Sequence, residues 1–99
     1  MTEKHYTFQT TTEYDEWVDG ETRKSRVQIA DRLSNIENEG HFGIHKGLED
    51  GVSELKWGGG RRVYYSIIPE KNIILLLGGN KNGQDKDIAK AKKILKRYI

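Results

Sequence analysis

The chain has 99 residues, with 17 Lys and Arg against 15 Asp and Glu, and it contains no cysteine. That length suits one domain with one modest core, the lack of cysteine excludes disulfides and thiol chemistry, and no run reaches the roughly eighteen apolar residues of a membrane span. The net charge of +2 hides an asymmetry: residues 1 to 50 carry 6 basic against 11 acidic side chains, and residues 51 to 99 carry 11 against 4.

Five Tyr, two Trp and strong hydrophobic periodicity exclude a disordered chain. The polar start MTEKHYTF does not read as a signal peptide, so a cytoplasmic setting is expected. The basic half suits a polyanion, of which nucleic acid is the commonest. Lys86, Lys90, Lys93 and Lys96 read as the solvated face of a helix.

From Glu3 to Thr10, Tyr6 and Phe8 alternate with His5 and Thr7, which predicts a half-buried strand. Thr10 and Glu13 have the spacing of a capping box, so a helix begins here; it carries Tyr14, Trp17 and Val18 on one face and stops at Asp19 and Gly20. A second helix is predicted from Thr22 to Asn38, with Val27, Ile29, Ala30, Leu33 and Ile36 as its apolar stripe and Gly40 as its stop. Both helices are expected to cover one sheet face, with the acidic surface around Glu13, Asp15, Glu16, Asp19 and Glu21 lying away from the basic one. His41 to Asp50 reads as a loop.

Gly51 to Leu77 reads as three antiparallel strands joined by tight turns. In the first, Ser53, Leu55 and Trp57 alternate with Val52, Glu54 and Lys56; in the second, Val63, Tyr65 and Ile67 alternate with Arg62, Tyr64 and Ser66. Lys56 and Arg62 therefore share a face with a phenol. The third strand, Asn72 to Leu77, has no alternation, which predicts cover on both sides. Glycine-rich Gly78 to Gln84 reads as a loop into a last helix, with Asp85 as N-cap and Ile88, Ala91, Leu95 and Tyr98 as its stripe. One α+β domain over residues 1 to 99 accounts for the whole pattern.

Gly78-Gly79-Asn80-Lys81 has neither the spacing of a Walker loop nor a Gly-x-Gly-x-x-Gly pattern. His41 and His45 stand in a glycine-containing loop without nearby Cys or carboxylates to complete a metal site, so no metal or cofactor is expected. Triad and glycosidase patterns are missing. What remains is the set Lys46, Lys56, Arg62, Tyr64 and Lys81 on the sheet and adjoining loops. Metal-free RNA cleavage needs a base for the 2′-hydroxyl, cations for the phosphate charge and an acid for the leaving oxygen. Arg grips two phosphate oxygens with its fork, and crowded lysines exchange protons. Equally, Arg62 can serve as a structural ion-pair partner of Glu54, and Tyr64 can pack under the last helix.

The runs Gly51-Val52-Ser53-Glu54-Leu55-Lys56, Arg62-Val63-Tyr64-Tyr65 and Leu75-Leu76-Leu77-Gly78-Gly79-Asn80-Lys81, followed by Gln84, Asp87-Ile88 and Ala91, resemble the RelE/HigB-like toxins of type II toxin-antitoxin modules. The addiction-module killer subgroup of the RelE/ParE superfamily is the nearest pattern. Trp17, Arg26, Ile29, Leu33 and the Gly-x-x-Lys at 43 to 46 fall in the same order. The resemblance implies a RelE-like α+β fold, with two N-terminal helices and a C-terminal helix on a mainly antiparallel four-stranded sheet. It implies ribosome-dependent, metal-free mRNA cleavage to a 2′,3′-cyclic phosphate, and neutralisation by a helix-turn-helix antitoxin through which alone the toxin meets operator DNA.

By the same resemblance Arg62 grips phosphate with Lys56, which stands where the family has Arg. Lys46, His45 or Lys81 transfer protons, and Arg61, Tyr64, Asn80 and Gln84 contact RNA. A ParE-like gyrase poison and a catalytically silent antitoxin-binding homologue are the alternatives. The first turn, Gly58-Gly59-Gly60-Arg61, is shorter than the family's, Asn80 replaces Asp, and Gly47-Leu48 replaces Pro-Val.

Overall fold

The computed structural model describes residues 4–99. Among them five strands form one sheet: β1 (Thr7–Thr10), β2 (His45–Gly47), β3 (Ser53–Lys56), β4 (Arg61–Ile68) and β5 (Asn72–Asn80). Their spatial order is β1-β5-β4-β3-β2, with β1 parallel to β5 and the other neighbours antiparallel. The helices are α1 (Thr12–Asp19), α2 (Arg23–Glu39) and α3 (Gln84–Leu95). No helix among the described residues is long and apolar enough to cross a membrane.

The expected four strands are thus five. β2 lies in the segment predicted as loop; it is three residues long, exposed throughout and at the sheet edge, so no apolar alternation marks it. β1 starts only at Thr7, and Glu3, where the predicted strand began, lies outside the described residues. The helix cap moves by one residue. Thr11, not Thr10, accepts the Tyr14 amide at 3.0 Å, because Thr10 is still paired with Leu75 in the sheet. Thr22 caps α2, and Gly40 ends it in the left-handed conformation at φ 70°, where glycine has no Cβ to clash.

The sheet is covered on both faces. Tyr14 of α1 and Ile36 of α2 pack with Leu55, Val63, Tyr65, Ile73 and Leu75 on one side. Ala91, Ile94 and Leu95 of α3 pack with Val52, Tyr64, Ile74, Leu76 and Leu77 on the other. A bulge contributes to this pattern: Tyr64 pairs with Leu77 and Tyr65 with Leu75, so Leu76 is an extra residue and both Leu76 and Leu77 side with α3. Val27 and Tyr98 leave their predicted stripes, at 51% and 40% exposed, and Ile94 takes the place expected for Tyr98 beyond the end of α3.

β5 runs on through Gly78, Gly79 and Asn80, which the glycine content had marked as loop. The glycines answer to packing. A Cβ on Gly78 would collide with the Trp17 ring of α1, and one on Gly79 with the Asp87 carboxylate of α3. A single 3-10 turn, Lys81–Gly83, then leads into α3, whose first turn carries Asp85 and Asp87 against the positive end of the helix dipole. Asp85 is inside the helix and is not its cap.

Candidate functional site

Register decides which of the predicted residues meet. Lys56 stands directly opposite Arg62, and Lys46 opposite Glu54, which is opposite Tyr64. Directly paired residues share a face, so Lys46, Glu54, Lys56, Arg62 and Tyr64 all lie on the side that carries α3. Lys46 is exposed at the edge strand. Lys81 joins from the far end of β5: its side chain lies on Gly60, where an added Cβ would come within 3.1 Å of its Cγ. The Gly60 carbonyl also accepts from Arg62 Nη1 at 3.0 Å, so both cations converge on that turn.

At the centre of this face is a residue that the sequence reading used only as a possible ion-pair partner. Glu54 is 0% exposed, with Oε2 at 3.4 Å from Arg62 Nε and Oε1 at 3.7 Å from Lys56 Nζ. The side chains of Arg62 and Lys56 are 14% and 33% exposed, so each cation has a buried flank against Glu54 and a margin open to solvent. The ion pair raised as a structural alternative for Arg62 is therefore present, and Tyr64 on the same face packs under α3.

Tyr64 is fully buried beneath α3 and offers no ring for a base to stack on, contrary to the RNA-contacting role expected of it. Burial pushes its phenol up to about 12, and the nearby carboxylates of Glu54 and Asp87 act in the same direction. Burial also raises the carboxyl of Asp87, against the opposing pull of Lys90. Asp87 was outside the predicted site; its only signal was the Asp-Ile pair in the family resemblance.

Three predicted residues are turned away. His45 pairs with Leu55, hence faces the α1 and α2 side, where its ring is 5.6 Å from that of Phe42 and its Nδ1 is 2.9 Å from the Gly43 carbonyl. Arg61, adjacent to Arg62 in an alternating strand, faces the same way. It donates to Gln28 Oε1 at 2.9 Å and lies 3.6 Å from Glu21. Asn80, paired with Arg61, faces that side too, and its Oδ1 accepts the Asn82 amide at 2.9 Å. Gln84 opens α3 and shares with Lys81 a shallow cavity of about 430 Å³. A larger groove, about 1040 Å³, lies between Asp50, Leu95 and Ile99 and includes none of the predicted site residues.

Lys56 is also fixed from behind. Arg32 of α2 donates to its carbonyl at 3.0 Å and to the Phe42 carbonyl at 3.2 Å, with its guanidinium 4.4 Å from the centre of the Trp57 ring. The anchoring role of Arg32 depends on a contact 24 residues away in sequence, which no local pattern announces.

The layering and strand order define an α+β fold of the RelE type. The fold matches that of a double arginine-to-alanine mutant of the Escherichia coli toxin RelE in the free state, with a TM-score of 0.72 at 15% identity over 96% of this chain and 99% of that one. It also matches a RelBE toxin-antitoxin complex from Mycobacterium tuberculosis, with a TM-score of 0.63 at 17% identity over 77% and 98% of the two chains. The intact E. coli RelBE complex gives 0.61 at 18% identity over 76% and 95%. In sequence the chain is 37% identical over 86 residues to an uncharacterized protein of Haemophilus influenzae, covering 84% of this chain and 86% of that one, and it belongs to that protein's family. No protein-family model matches it.

Proposed function

We propose that this protein is the toxin of a type II toxin-antitoxin module and that it cuts mRNA on the translating ribosome, without a metal ion, leaving a 2′,3′-cyclic phosphate. The observation that carries the reading is that Lys46, Lys56 and Arg62 share one face of a RelE-type sheet, with Lys81 against the Gly60 turn to which Arg62 donates. Arg62 and Lys56, side by side across two strands, hold the charge that develops on the scissile phosphate. Lys46 and Lys81, the exposed members of the set, move the protons: one takes the 2′-hydroxyl proton and one protonates the leaving 5′ oxygen. His45 lies on the opposite face and takes no part. Gln84, beside Lys81, contacts the RNA backbone, whereas Asn80, paired with Arg61, lies on the opposite face. The single domain works in the cytoplasm, and its partners are the ribosome, the message and a helix-turn-helix antitoxin that reads operator DNA on its behalf.

The test is induced expression followed by primer extension on host mRNA, comparing wild type with Arg62→Lys. Lysine keeps the charge beside Glu54 but loses the fork, so wild type should leave discrete cuts within reading frames and the variant should leave few or none. Growth arrest without cuts would favour gyrase poisoning by protein contact. No growth effect at all would favour a silent antitoxin-binding homologue.

A further inference from the structure

Four buried side-chain atoms without a hydrogen-bond partner among the described residues lie together: both carboxylate oxygens of Glu54, Arg62 Nε and Tyr64 Oη. Taking a carboxylate out of water is costly, and ion pairs at 3.4 and 3.7 Å without hydrogen bonds recover that cost poorly. A well-packed apolar residue would stabilise the sheet at least as well. Stability is therefore a poor account of the charge.

Its setting offers another. Lys56 and Arg62 are directly opposite in the β3 to β4 register, and like charges in that relation repel. Glu54, two residues before Lys56 on the same face, is within ion-pair distance of both. We propose that Glu54 is a positioning residue, which holds Lys56 and Arg62 side by side on one phosphate site before the RNA arrives. This inference rests on the nuclease reading above. The carboxylate stays beneath the cations, fully buried, and touches no substrate. Through it the cost of assembling two like charges is met on folding and not at the moment of reaction.

Single-turnover cleavage of a defined message on programmed ribosomes, with purified wild type and Glu54→Gln, tests the role. Glutamine keeps the shape and removes the charge. The rate at saturating ribosome should fall about tenfold or more. The ribosome concentration giving half that rate should stay the same or drop, because one negative charge has left a site that binds a polyanion. Glu54→Met, an apolar residue of similar length, is measured alongside in case glutamine prevents folding, and circular dichroism gives the folded fraction of each. A folded variant cutting at the wild-type rate would overturn the positioning role and leave the nuclease reading intact. So would a rate that falls only in proportion to the folded fraction. A wild-type protein that cuts no message would overturn both.

Discussion

Because the carboxylate of Glu54 is fully buried, each cation beside it has two duties, and substitutions at Arg62 separate them. Arg62→Ala removes one of the two partners from a buried charge, and a change of that kind costs about 3–5 kcal/mol, a large share of a small domain's stability. Its urea midpoint should fall accordingly, whereas Arg62→Lys, which retains a cation there, should lose much less. A loss of toxicity in the alanine variant would mix unfolding with chemistry; the lysine variant isolates the chemistry. At Gly78 the constraint is steric. A methyl group there runs into the Trp17 ring, so Gly78→Ala should cost about 1–3 kcal/mol, visible as an earlier urea midpoint followed by tryptophan fluorescence.

Among the elements, α1 depends most on a single side chain. The buried Thr11 hydroxyl accepts the Tyr14 amide at 3.0 Å and donates to the Leu76 carbonyl at 2.7 Å, so one group caps the helix and ties it to the bulged part of β5. Thr11→Ala should cost about 1–2 kcal/mol in urea denaturation, and Thr11→Ser should recover most of it. Hydrogen exchange in the first turn of α1 should quicken in the alanine variant before the rest of the molecule responds. Serine leaves exchange there near the wild-type rate, since its hydroxyl reaches the same two partners.

For the molecule as a whole, ion pairs stitch the acidic first half of the chain to the basic second half, while α1 and α2 lie on the side of the sheet away from Lys56 and Arg62. Glu13 at the start of α1 accepts from Arg97 at 2.6 and 2.7 Å, and Glu21 lies 3.6 Å from Arg61. The hydrogen bond from Arg97 holds the Glu13 carboxyl below its ordinary value of 4.5. A carboxyl that is more acidic folded than unfolded binds fewer protons when folded. Its contribution is therefore complete above the unfolded value and is lost as pH falls through the folded one. The melting temperature of wild type should exceed that of Glu13→Gln at neutral pH, and the gap should close on acidification below 4.5. High salt should narrow it as well, since the pair is at the surface.

Periodicity and punctuation alone determined the two N-terminal helices, their stops, the β3 to β5 meander and the placing of Lys56 and Arg62 on one face; that the two stand directly opposite was decided by the register. Those features rest on neighbours in sequence: alternation, helical spacing, a glycine after the last turn. Tertiary structure decided the rest. β2 exists because an edge strand can be held by hydrogen bonds with no apolar face of its own. Gly78 and Gly79 belong to a strand because they pair with β4, and they are glycine because side chains of α1 and α3 press on them; composition cannot tell close approach from a turn. The burial of Glu54 and Tyr64 follows from where α3 lies, some thirty residues further along the chain. Alternation shows which side chains share a face, but whether that face meets water or a helix is set by packing between distant segments.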